Sequence, residues 1–79
     1  MNIPRNLSGR QLIKSLEKYG YRITRQKGSH IRITTDQNGK QNITIPDHNP
    51  LKLGTLSSIL KDVAAHFNMD KQTLVKDLF

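Results

Sequence analysis

The chain lacks cysteine and tryptophan altogether, and its 79 residues include only two tyrosines and two phenylalanines. Without cysteine there is neither a disulfide framework nor a thiolate metal site. With so few aromatics, the core has to be built from aliphatic side chains. Long apolar runs are missing too: the longest cluster is Val63-Ala64-Ala65, far short of the roughly 20 residues that a bilayer-spanning helix needs. The opening Met1-Asn2-Ile3-Pro4-Arg5-Asn6 has no apolar stretch of the kind found in secretion signals. A cytoplasmic protein with no membrane partner is therefore expected. One domain over residues 1–79 is expected as well, with a modest core in which every apolar residue counts.

Acidic residues are scarce in one part of the chain only. Residues 1–32 carry eight lysines and arginines against the single acid Glu17, whereas residues 33–79 carry five lysines balanced by five aspartates. The whole formal charge of +7 thus falls at or before Arg32. Such asymmetry favours a polyanionic partner, nucleic acid ahead of an anionic membrane, because no basic helix carries large apolar anchors. No metal cluster is expected: the three histidines are spaced 18 residues apart and the aspartates are scattered through turns and helices.

Helix and strand signals alternate clearly. Ser8-Gly9-Arg10-Gln11 reads as a capping box, Leu7 and Leu12 stand where a hydrophobic staple would place them, and Leu12, Ile13, Leu16 and Tyr19 recur at helical spacing. This first helix is expected over about residues 9–19, ended by Gly20. Its polar face carries Arg10, Lys14 and Lys18, a stripe of the kind usually left to solvent. Three strands follow. Tyr21 to Arg25 alternates, with Tyr21 and Ile23 expected on the core side; Gln26-Lys27-Gly28 connects it to a second strand over residues 29–35. A turn with Asn38-Gly39 leads to the third strand, Gln41 to Ile45, which Pro46 stops. Connections this short make the sheet an antiparallel meander. After the loop Pro46-Asp47-His48-Asn49-Pro50, Leu56, Ile59, Leu60, Val63, Ala64 and Phe67 mark a second helix beginning between residues 51 and 55, with Asn49-Pro50 or Thr55 as start signals. Asp70 caps a short last helix containing Leu74, Val75 and Leu78.

The expected fold is therefore α+β, in the order α-β-β-β-α with a short C-terminal helix. Each strand has one apolar and one polar face, so both main helices should lie on the same side of the three-stranded antiparallel sheet. The uncovered side would display Arg22, Thr24, His30, Arg32, Thr34, Asn42 and Thr44. A histidine among cations on an open face suits phosphodiester chemistry. Cleavage of RNA without a metal needs a base for the ribose 2′-hydroxyl, an acid for the leaving oxygen, and cations for the charge on the phosphoryl oxygens.

Gly28-Ser29-His30, together with Ser8-Gly9, Ile45-Pro46-Asp47-His48 and Gly54-Thr55-Leu56-Ser57-Ser58-Ile59-Leu60, resembles the HicA family of toxin ribonucleases. The matching pieces fall in the family's order from about Leu7 to Leu60. The resemblance implies a double-stranded-RNA-binding-domain-like fold, cleavage of mRNA without metal or other cofactor, and neutralisation by a HicB-type antitoxin. It also implies that His30 is catalytic. Around it, Arg25, Lys27, Ser29 and Arg32 are the candidates for holding phosphate, and Gly28 is assigned to turn geometry. His48, in a proline-bounded loop, is open to a turn, antitoxin or catalytic role; His66 is expected to be structural or exposed. The extension over residues 67–79 closes the core or meets the antitoxin. Two rival functions suit the same face: a non-catalytic RNA-binding module, and a protein-interaction domain for an acidic partner.

Overall fold

The first helix, α1, spans Gly9–Leu16 and is set by the capping box. The Ser8 hydroxyl accepts from the Gln11 N–H at 3.1 Å, and the Gln11 side chain accepts from the Ser8 N–H at 2.9 Å. Leu12, Ile13 and Leu16 are buried on one side of this helix. The computed structural model describes residues 3–79. A 3-10 turn, Glu17–Tyr19, continues α1, and Gly20 ends it at φ +82°.

Gly9 fixes where α1 sits. A Cβ at this position would run into the Pro46 carbonyl oxygen, so only glycine lets the helix approach the sheet so closely. The same residue donates its N–H to the His48 carbonyl at 2.9 Å, and Leu51 donates to Leu7 at 2.8 Å. The start of α1 and the loop after the last strand are thereby clasped together.

Strands β1 (Arg22–Lys27), β2 (His30–Thr35) and β3 (Gln41–Pro46) form the expected antiparallel meander, with β2 central. Helix α2 covers Leu53–His66 and α3 covers Lys71–Leu78. Ile31, Ile33, Ile43 and Ile45 of the sheet share one core with Leu12 and Leu16 of α1 and with Leu56, Leu60 and Val63 of α2. Both main helices therefore lie on one face. Asp70 caps α3 as its position implies, accepting from the Thr73 N–H at 2.8 Å. Phe67 packs between Tyr19 and Tyr21, with ring centroids 5.1 and 6.2 Å away.

Three expectations need correction. Ile23 is not in the core: it is 48% exposed. It does lie opposite Ile33 in the ladder, but β1 is an edge strand and α1 packs toward β3, leaving a hollow beside Ile23 lined by Arg10, Ile13, Lys14 and Glu17. Helix α2 begins at Leu53, inside the expected window of residues 51–55, but on neither of the expected start signals. Its N-cap is Lys52, without a side-chain hydrogen bond, so burial of Leu56, Ile59, Leu60 and Val63 decides where the helix forms. Finally, β1 runs on to Lys27, and the turn is Gly28-Ser29 rather than Gln26-Lys27-Gly28.

Candidate functional site

The β1–β2 turn sets the geometry of the open face. Lys27 pairs with His30 across a two-residue connection, in which Gly28 has φ +59° and Ser29 has a negative φ. Positive φ at the first central position alone is the type II′ pattern, which suits the twist of the flanking strands and favours glycine there. Nothing lies within 4 Å of where a Gly28 Cβ would be, so backbone conformation is the whole reason for this glycine. The Ser29 carbonyl accepts from the Asp47 N–H at 2.7 Å, which extends the β2–β3 ladder to the turn. On the helix side, Arg10 Nη2 donates to both Gln26 Oε1 and Asp47 Oδ2 at 3.2 Å, and Gln26 Nε2 donates to the Gly28 carbonyl at 3.3 Å. The turn that carries His30 is braced from two directions.

A β-bulge decides which side chains meet there. Ile23 pairs with Ile33, but the next pair is Arg25 with Arg32, so Thr24 is an extra residue in β1. Strict alternation from Arg22 and Thr24 would turn Arg25 toward the helices. The bulge shifts the phase by one residue, placing Arg25 and Lys27 on the same side as Arg32 and His30. Arg25, Lys27, His30, Arg32 and Thr44 consequently line one shallow hollow of about 220 Å³. Ser29 is exposed in the turn next to His30 but does not line this hollow. Every candidate residue is thus within one short stretch of surface. Thr44 joins them as the cross-strand partner of Arg32, a placement visible in the alternation of β3 although no role attaches to it from sequence.

Charge is distributed unevenly around this hollow. Arg10 pairs with Asp47 at 3.2 Å, Lys18 with Asp77 at 3.2 Å and Arg22 with Asp36 at 3.0 Å. The aspartates of the second half of the chain thus fold back on three of the early cations. None of these ion pairs involves Arg25, Lys27 or Arg32, and among the described residues no carboxylate comes within 4.0 Å of them. Like charges directly opposite one another in a ladder are unfavourable, and Arg25 and Arg32 are so placed. The His30 side chain is exposed and its ring makes no hydrogen bond among the described residues. The hollow offers an approaching anion three unpaired cations and an imidazole.

The other histidines are placed differently. His66 Nε2 lies 2.9 Å from the carbonyl oxygens of both Gln37 and Gly39, so this nitrogen carries a proton shared between them. Asn38 Nδ2 donates back to the His66 carbonyl at 2.8 Å. His66 is structural: it fastens the β2–β3 loop to the end of α2. His48 is exposed beyond β3 and holds Gly9 through its backbone carbonyl. A larger hollow of about 880 Å³ runs along β3 and α2, past Gln41, Ile43, Ser58, Asp62 and His66, but it lacks the unpaired cations. Among the described residues no group of three or more histidine, aspartate or glutamate side chains gathers as a metal site requires. Among the described residues no helix is long and apolar enough to cross a membrane.

Comparison with curated proteins and with solved structures gave no match in either case. Comparison with protein families did: residues 9–64, more than half of the chain, match the family described as the HicA toxin of bacterial toxin-antitoxin systems. That span runs from the glycine that seats α1 on the sheet, through the braced Gly28-Ser29-His30 turn, to the buried face of α2. The chain belongs to the HicA toxin family.

Proposed function

We propose that residues 1–79 act as one toxin domain that cuts mRNA in the cytoplasm, with His30 as general acid or base and Arg25, Lys27 and Arg32 holding the phosphate. The observation that carries this reading is the ring of three cations around an exposed histidine, none of them with an acidic partner among the described residues. A phosphodiester supplies the missing negative charge. Charge-assisted hydrogen bonds from arginine to phosphoryl oxygens strengthen as charge accumulates in the transition state, which is where binding accelerates a reaction.

The reaction is transesterification within the RNA. A base takes the proton of the ribose 2′-hydroxyl, the 2′-oxygen attacks phosphorus, and the bond to the leaving 5′-oxygen breaks as an acid protonates it. The products are a 2′,3′-cyclic phosphate and a 5′-hydroxyl. His30 supplies one of the two proton transfers near neutral pH. Ser29, exposed in the turn next to His30, contributes its hydroxyl to a phosphoryl oxygen, and Gly28 keeps the turn in the conformation that presents both residues. The open sheet also suits single-stranded or weakly structured RNA, whose bases and backbone can lie across it. A HicB-type antitoxin with an acidic surface would silence the protein by covering the same cations, and it is the protein partner we assign.

The test uses RNA in excess EDTA and a matched substrate with a 2′-deoxy linkage at the cut site. Cleavage is expected in EDTA and is expected to stop at the deoxy linkage. A requirement for Mg²⁺, or cleavage of the deoxy linkage, would overturn the mechanism. Salt-sensitive binding without any product would favour the RNA-binding module instead. No binding at physiological salt would favour the acidic protein partner.

A further inference from the structure

Four side chains on the open face form a single directed chain of hydrogen bonds. Arg32 Nε donates to Thr24 Oγ1 at 3.1 Å, Thr24 Oγ1 lies 2.8 Å from Thr34 Oγ1, and Thr34 Oγ1 donates to Asn42 Oδ1 at 2.7 Å. A hydroxyl has one proton to give. Since Thr34 gives its proton to Asn42, Thr24 must be the donor to Thr34, and its lone pairs are then free to accept from Arg32. Thr24 also lies 3.4 Å from the Arg32 carbonyl, a longer approach that its single proton cannot serve at the same time. Thr34 is only 2% exposed, so its hydroxyl needs both partners, and the direction of the chain is fixed from its buried middle.

We propose that Thr24 is a positioning residue which anchors Arg32 through Nε and aims the terminal Nη1/Nη2 edge of its guanidinium at the scissile phosphate. The proposal rests on the reading of His30 and Arg32 given above. Guanidinium has two edges that can hold a phosphate as a pair of donors, the side edge through Nε and Nη2 and the end edge through Nη1 and Nη2. With Nε committed to Thr24, only the end edge is left. Thr24 is also the bulge residue. One inserted residue therefore both brings Arg25 and Lys27 onto the His30 face and supplies the hydroxyl that holds Arg32.

Thr24→Val removes the hydroxyl and keeps the branched shape that a strand accepts, while Thr24→Ser keeps the hydroxyl. The first readout is independent of activity: solvent exchange of the Arg32 Nε–H, followed by NMR. Slow exchange is expected in the wild type and in Thr24→Ser, with fast exchange in Thr24→Val. Equally fast exchange in all three would overturn the anchoring. The second readout is RNA cleavage. Thr24→Val should lower kcat/KM by up to about 10²-fold, the scale of a small misplacement of a positioned group, and Thr24→Ser should recover it. In an Arg32→Lys background, which keeps the charge but has no Nε–H, Thr24→Val should change kcat/KM no further. A loss that persists undiminished there would overturn the assignment. Wild-type protein that cuts no RNA would sink the reading of the site, and the NMR comparison would then decide the anchoring alone.

Discussion

Arg25 stands directly opposite Arg32 in the β1–β2 ladder, and among the described residues neither guanidinium has a carboxylate partner. A fold selected for stability alone would not put like charges there, since cross-strand pairs of this kind cost rather than contribute about 0.2–1 kcal/mol. Arg25→Gln should therefore raise stability by a few tenths of a kcal/mol to about 1 kcal/mol, read as a higher Tm. The same variant should cut RNA about ten- to a hundredfold more slowly, the loss expected for one hydrogen bond from a charged donor. Thermal melts and initial rates on one preparation check both. A fall in Tm together with an unchanged rate would show that the pair serves the fold and not the phosphate.

His30 divides differently between stability and activity. Its side chain is exposed, and its ring makes no hydrogen bond among the described residues. Replacing it with alanine should shift stability by no more than about 0.5 kcal/mol. Loss of general acid-base help should lower kcat by about 10²–10⁴-fold. Growth offers a second check: cells should arrest on expressing the wild type and continue on expressing His30→Ala. Arrest by both proteins would point to binding as the toxic event.

Much of this arrangement is legible in the residues, because each signal is local. The Ser8/Gln11 capping box, the Asp70 cap and the positive φ at Gly20, Gly28 and Gly39 are all where short motifs imply. The apolar periodicity of α2 likewise marks its buried face, although not its first residue. The bulge at Thr24 is different. Nothing in Ile23-Thr24-Arg25 distinguishes an extra residue from one more step of alternation, because all three fit a strand and the shift arises from pairing with β2. Ile23 reads as core for the same reason: its neighbours allow burial, but no helix arrives to cover it. The ion pairs of Arg10, Lys18 and Arg22 join residues 14 to 59 positions apart. Linear charge counting therefore finds the excess without showing which early cations are paired and which, like Arg25, Lys27 and Arg32, stand unpaired beside His30.

The two glycines that the site depends on should fail in different ways. At Gly9 an added methyl meets the Pro46 carbonyl, so Gly9→Ala has to push α1 away from β3, an overpacking that typically costs about 1–3 kcal/mol. At Gly28 there is open space, and Gly28→Ala carries only the backbone penalty of a positive φ, at least the roughly 1–2 kcal/mol of the left-handed region. Activity should separate them further. Gly28→Ala should slow cleavage more than its loss of stability explains, because Lys27 and His30 flank the turn. Gly9→Ala, measured where it is folded, should slow cleavage less, because it reaches the turn only through the Arg10 brace on Gln26 and Asp47. Denaturant melts and cleavage rates measured below both transitions provide the comparison.

The tyrosines report on how the C-terminal helix is held. Burial, then the hydrogen bond to Asp77, pushes the Tyr19 hydroxyl from 10.0 to about 12; burial, then the Asp62 charge, does the same for Tyr21. In both cases the fold favours the neutral phenol. Their contribution to stability is complete below the unfolded pKa near 10.0 and is lost as pH rises toward about 12. Asp77 is shifted the other way, held below the ordinary carboxylate value of 3.8 by the hydrogen bonds from Tyr19 and Lys18. Its contribution is present above that value and disappears as pH falls through its lowered pKa. With two tyrosines and no tryptophan in the chain, tyrosinate absorbance reads the alkaline arm directly, and both groups should titrate near 12 in the folded protein. Asp77→Asn should bring the Tyr19 midpoint down while leaving that of Tyr21 in place. It should not return Tyr19 fully to 10.0, because burial is the larger cause of its shift. If both midpoints moved together in Asp77→Asn, α3 would be holding the Tyr19–Phe67–Tyr21 cluster as a whole, and not through the Tyr19 hydroxyl alone.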